Sequence, residues 1–120
     1  MSDPQTFSCQ FTVEEPGGVV VATLAGELGH EAAEPFGDRV DELHQAGHRR
    51  FVFDLGRLTY IGSMGLRVFA LLASRVKADG AVCLCDPTAN VQSALDVTKL
   101  ARLLHVYPTR AEAIDAVRSR

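Results

Sequence analysis

No long run of basic residues occurs in this chain of 120 residues, and its formal net charge is −3. A nucleic-acid partner, whose phosphates demand clustered Lys and Arg, is therefore not expected. No apolar run approaches the length of a membrane span, and Met1–Gln10 has neither the basic start nor the apolar centre of a signal peptide. The sequence-based expectation is a cytoplasmic protein that neither enters a membrane nor needs one. Cysteine is scarce. Cys9, Cys83 and Cys85 make an odd count with no C-x-x-C spacing, which leaves little basis for a disulfide framework, a zinc site or a redox motif. Cys83 and Cys85 lie two apart in a β-like run, so they face the same way and need company on that face.

What is present fits a globular domain. Apolar residues make up 47% and charged residues 22%, enough for one core. One domain spanning 1–120 is expected, ordered over about 7–118.

Hydrophobic periodicity then divides the chain. Phe7–Val13 alternates as a strand, Pro16-Gly17-Gly18 reads as a turn, and Val19–Leu28 reads as a strand that could pair back as a hairpin. Glu31–Ala46 reads as a helix burying Ala32 or Ala33, Phe36, Val40 and Leu43, with Gly47 as its stop. Arg50–Leu55 is an almost continuous apolar run, the pattern of a central strand buried on both faces and covered by helices. A second short apolar piece, Leu58–Ile61, delivers Gly62-Ser63-Met64-Gly65. An amphipathic helix over Leu66–Ala78 follows, then a buried strand over Ala81–Cys85. Thr88 or Asn90 can cap a third helix, Val91 to about Val97. Leu103–Tyr107 suggests a short edge strand. Thr109 with Glu112 forms a capping-box pattern ahead of a last helix, Arg110–Arg118. The order β-β-α-β-α-β-α-(β)-α makes an α/β fold. Its sheet is mostly parallel, because strand–helix–strand units cross over with one hand, and an antiparallel hairpin opens it.

Few residues suggest chemistry. His44 and His48 have the spacing of two metal ligands on one helix face, but Gly47 interrupts the helix between them; solvated histidines at a helix end are the simpler reading. His30-Glu31 begins like a zinc-protease motif, yet Glu34 stands where the second histidine belongs. Gly62-x-x-Gly65 is too short for a nucleotide loop and lacks its lysine. Ser63 has Gly65 two residues after it but Ile61 two before, so a hydrolase elbow is incomplete. Two readings of Ser63 remain open: a helix cap, and a cap that also accepts a phosphoryl group at the positive end of a helix dipole. No cofactor or metal is expected.

Five pieces in order carry a resemblance to the STAS domain, and within it to the bacterial anti-sigma factor antagonists. They are Leu24-Ala25-Gly26-Glu27-Leu28; Phe51-Val52-Phe53-Asp54-Leu55; Leu58 to Leu66; Asp86-Pro87 with Val91, Leu95, Thr98-Lys99-Leu100 and Leu103; and Tyr107-Pro108-Thr109 with Glu112-Ala113-Ile114. The resemblance implies a STAS fold, a mixed sheet of four to five strands with about four helices packed on one side. It implies a non-enzymatic protein that binds an anti-sigma factor of the serine-kinase type. Phosphorylation of the signature serine, here Ser63, would abolish that binding, and a PP2C-type phosphatase would restore it. The implied partner surface is Gly62, Ser63, Met64, Gly65 and Leu66, with Gly29, His30 and Glu31 beside it. Two acids of the family pattern are replaced here by Gly62 and Gly29, and the usual second serine by Met64. A STAS module of a transport or signalling complex without phosphorylation, and a small serine hydrolase, are the rival readings.

Overall fold

A computed structural model describes residues 6–14 and 18–120. Among the described residues, five strands lie in sequence order across one sheet: β1 (Ser8–Glu14), β2 (Val19–Leu28), β3 (Arg50–Ile61), β4 (Ala81–Cys85) and β5 (Val106–Tyr107). β1 and β2 are antiparallel, with Ser8 opposite Ala25 and Glu14 opposite Val19. The remaining pairs are parallel. Pro16 and Gly17 of the expected turn lie outside the described residues; Gly18 enters β2 at φ +65°.

The helices are α1 (His30–Gln45), α2 (Ser63–Val76), α3 (Ala89–Thr98), α4 (Ala101–Leu104) and α5 (Arg110–Arg118). Period-2 alternation in the strands makes two cores. On one face Val20, Ala22, Leu24, Phe51, Phe53, Val82 and Leu84 meet Phe36 and Val40 of α1, five residues of α2 (Leu66, Phe69, Leu72, Ala73, Val76), Val91 and Leu95 of α3, and Leu104 of α4. On the other face Val19, Val21, Val52, Ala81, Cys83 and Cys85 meet Ala113 and Val117 of α5. The expected α/β mixed-sheet class is the one observed. The helices, however, number five among the described residues, and α5 covers the opposite face from the other four. This accounts for the two-sided burial of β3 and supplies the company that Cys83 and Cys85 require.

Three local differences have physical causes. β3 does not stop at Leu55 but continues to Ile61. The ladder survives Gly56 because β3 accommodates an extra residue twice, between the Thr23–Asp54 and Ala25–Arg57 pairs and between the Gly26–Leu58 and Glu27–Tyr60 pairs, so bulges in β3 keep it paired with β2. The expected strand over Leu103–Tyr107 is only two residues long, because Leu100–Leu104 winds into a helical turn with Leu104 buried. Thr88, not Asn90, caps α3 by accepting the Val91 N–H, while Asn90 donates to the Thr59 carbonyl instead. Gly47, at φ +106°, ends α1 in the left-handed conformation that glycine adopts without a Cβ penalty.

Candidate interaction site at the paired helix starts

The parallel register of β2 and β3 builds the site. Leu28 pairs with Ile61, the last residues of their strands, so the two chains leave the sheet side by side. The Gly62 N–H donates to the Leu28 carbonyl at 3.0 Å, fixing the exits together. Each exit turns at once into a helix. Gly29 is the N-cap of α1 and Gly62 the N-cap of α2, both extended, and neither helix start has a side-chain cap. Two helix N-termini, each with unpaired N–H groups and a partial positive charge of about half a unit, therefore open at one end of the sheet.

Ser63 is the first helical residue of α2, one place inside the N-cap, so it is not itself the cap. The capping reading of Ser63 is corrected by this geometry. Its side chain is exposed, and among the described residues its hydroxyl takes no hydrogen bond. His30, Glu31 and Met64 are also exposed, Met64 at 44%. Gly65 and Leu66 differ: both are buried, and Leu66 belongs to the core. A Cβ at residue 65 would fall 2.8 Å from Leu28 Cγ and 2.9 Å from its Cδ2. Gly65 thus permits the close approach of α2 to the end of β2 and positions Ser63 without offering surface.

His44 sits in the last turn of α1 and gives its carbonyl to Arg49 at 2.8 Å, while His48 Nδ1 lies 3.3 Å from the Gly18 carbonyl oxygen. Among the described residues, no group of three or more His, Cys, Asp or Glu is disposed to hold a metal.

Tyr60 is the member of this site that sequence reasoning missed. It is 45% exposed, and its ring lies across both N-caps. A Cβ at residue 62 would be 3.3 Å from Tyr60 Oη, and one at residue 29 would be 3.9 Å from its Cε2. A side chain at position 62 would press on the Tyr60 hydroxyl, whereas one at position 29 would make ordinary contact with the ring. Beyond it, a mostly apolar groove runs along Tyr60, Ile61, Leu66, Ala94 and Val97, the last 81% exposed. α3 is anchored there by Thr88 Oγ1 donating to the Leu58 carbonyl at 2.9 Å and by Asn90 donating to Thr59.

The STAS domain model matches residues 10–113. The chain belongs to the STAS domain family. Among its relatives, BtrV of Bordetella bronchiseptica is 30% identical over 111 residues, covering 92% of this chain and 96% of that protein. The anti-sigma F factor antagonist of Paenibacillus polymyxa is 26% identical over 107 residues, 88% and 92% of the two chains. In fold the chain is similar to an anti-sigma factor antagonist from Mycobacterium paratuberculosis, with a TM-score of 0.83, 24% identity and coverage of 98% and 99%. It is also similar to the phosphorylated form of the Bacillus cell fate determinant SpoIIAA, with a TM-score of 0.68, 24% identity and coverage of 90% and 99%.

Proposed function

We propose that this chain is an anti-sigma factor antagonist: a cytoplasmic, non-catalytic binding protein whose partner is an anti-sigma factor of the serine-kinase type. Ser63 is its phosphoacceptor, and a PP2C-type phosphatase reverses the modification. The whole chain functions as one domain in this reading. The observation that carries it is the placement of Ser63. It is an exposed hydroxyl at the start of α2, with no partner among the described residues and a second uncapped helix start beside it. A phosphoryl group adds about −1.5 to −2 charges. The helix dipole and free N–H groups can hold that charge without unfolding α2. An interface fitted to a neutral hydroxyl would be repelled by it. The antagonist relatives and the existence of a phosphorylated SpoIIAA support the assignment.

The surface presented to the partner is His30, Glu31, Ser63 and Met64, with Gly29 and Gly62 lending backbone and Gly65 and Leu66 setting the position of the helix. A second reading, binding without phosphorylation, draws on one observation: both N-caps are glycine, so neither carries the acid of the family pattern. Mass spectrometry after incubation with the anti-sigma factor kinase and ATP separates the two. A phosphate on Ser63, removed by the phosphatase, is expected. An unmodified chain under conditions that phosphorylate a family substrate would favour the second reading.

A further inference from the structure

At the end of the sheet opposite Ser63 lies a cleft of about 730 Å³, within the range of small-ligand sites. It forms where the first residues of β3 and β4 meet the C-terminal ends of α2 and α5 and the turn of α4. Its polar lining is Arg50, Lys77, Asp79, Arg102, His105 and Arg120. Four permanent cations thus converge in a chain whose net charge is −3.

The charges are cancelled only in part. Asp79 is engaged by Arg49 at 3.4 Å. Arg50 is satisfied by the backbone oxygen of Arg120, donating from Nε at 3.1 Å and from Nη2 at 2.6 Å. Setting these aside, Lys77, Arg102 and Arg120 have no carboxylate partner among the described residues; Arg120 reaches only the Tyr107 hydroxyl, at 3.4 Å. The C-terminal ends of α2 and α5 contribute about half a negative charge each, which leaves an excess of about two positive charges. Ala73, Val82 and Leu103 form an apolar wall behind them. His105 adds a ring from a backbone held at φ +50°, a left-handed conformation uncommon for residues other than glycine. Burial, and then the charge of Arg120, lowers the pKa of His105, so the ring enters the cleft neutral and able both to donate and to accept.

We infer that this cleft is a binding site for a small phosphate-bearing anion of two or more negative charges, held by Lys77, Arg102 and Arg120 with His105 beside them. Guanidinium groups bind phosphate oxygens in pairs and lysine binds them as a point charge, the combination present here. The site is remote from Ser63 and independent of its phosphorylation.

The probe is pyrophosphate, titrated into the full-length chain at low ionic strength and followed by amide NMR. Saturable shifts are expected at Lys77–Val82, Arg102–His105 and Arg120, with those at Gly62–Leu66 unmoved. Lys77→Gln combined with Arg102→Gln should weaken binding at least tenfold, since two of the three cations that hold the anion are lost. Both residues are exposed at helix ends, so an unchanged thermal melt checks that the fold survives. Arg57→Gln, an exposed cation elsewhere, should leave affinity unchanged. Shifts that do not saturate, a double variant that binds as well as the parent, or equal weakening by Arg57→Gln would overturn the assignment.

Discussion

Phe36 packs against four other aromatic rings, Phe7, Phe11, Phe53 and Phe69, with centroids 5.8–6.1 Å away, and Phe53 and Phe69 lie 4.9 Å apart. Such edge-on and offset pairs add to the burial of each ring. Phe53 is fully buried at the centre of this cluster. Phe53→Ala should therefore cost about 3–5 kcal/mol in urea unfolding, the range for a truncated core Phe; a loss typical of a surface site would contradict the packing. The cysteines carry a pH prediction. Burial pushes the thiols of Cys9 and Cys85 up to about 12 and that of Cys83 to about 11, from an ordinary 9.0. Native thiols should stay protonated and resist alkylation at pH 8, reacting only in denaturant. The unfolded chain releases these protons first. The stability they contribute is complete below pH 9.0 and declines as the pH rises towards the folded values. Phe53 was legible in the sequence because an apolar run places it. Tyr60 was not, because its neighbours Gly29 and Gly62 belong to two strand exits that only the β2–β3 register brings together.

At the scale of elements, α5 is held to the sheet by more than Ala113 and Val117. Arg110, in its first turn, donates to Asp54 Oδ2 from Nε at 3.0 Å and from Nη2 at 2.8 Å, and Nη2 also reaches Thr23 Oγ1 at 2.7 Å. The Asp54 side chain is only 19% exposed, so removing its partner strands a partly desolvated carboxylate. Arg110→Ala should destabilise the protein by about 1–2 kcal/mol and raise hydrogen exchange in α5 more than in α2. Uniform exchange changes would show that α5 is not separately tethered. The helix starts make a different prediction. Asp is preferred to Gly at an N-cap by only a few tenths of a kcal/mol, so Gly29→Asp with Gly62→Asp should leave stability nearly unchanged once Tyr60 Oη shifts aside. Exposed charges contribute roughly 0.2–1 kcal/mol each, so the pair should speed phosphorylation of Ser63 by a family kinase a few-fold, less at high salt. An equal time course for parent and double variant would show that the lost acids do not matter. Strands β2 and β4 and helix α5 were legible to the residue, because turn and capping residues bound clean periodic runs. α4 and β5 were not, because Leu103–Tyr107 satisfies both periods and tertiary packing of Leu104 decides.

Across the whole molecule, the sheet separates two ends with different chemistry. The C-terminal ends of β2 and β3 present Ser63 between uncapped helix starts, and the N-terminal ends of β3 and β4 gather the cationic cleft. The fold order and the family were readable from ordered motifs. The glycine N-caps were visible as departures from a pattern, but their setting under Tyr60 required the folded chain. The central claim is that a charge at residue 63 controls binding without disturbing the fold. A carboxylate in the first turn of α2 faces the positive end of the dipole and should stabilise that helix by about 0.3–1 kcal/mol. Calorimetric titration of the cognate anti-sigma factor, captured from the source cell, into Ser63→Ala and Ser63→Asp tests the claim most directly. The account predicts parent-like affinity for the alanine variant and at least tenfold weaker binding for the aspartate variant, with both melting at or above the parent temperature. Equal affinities for two folded variants would contradict it.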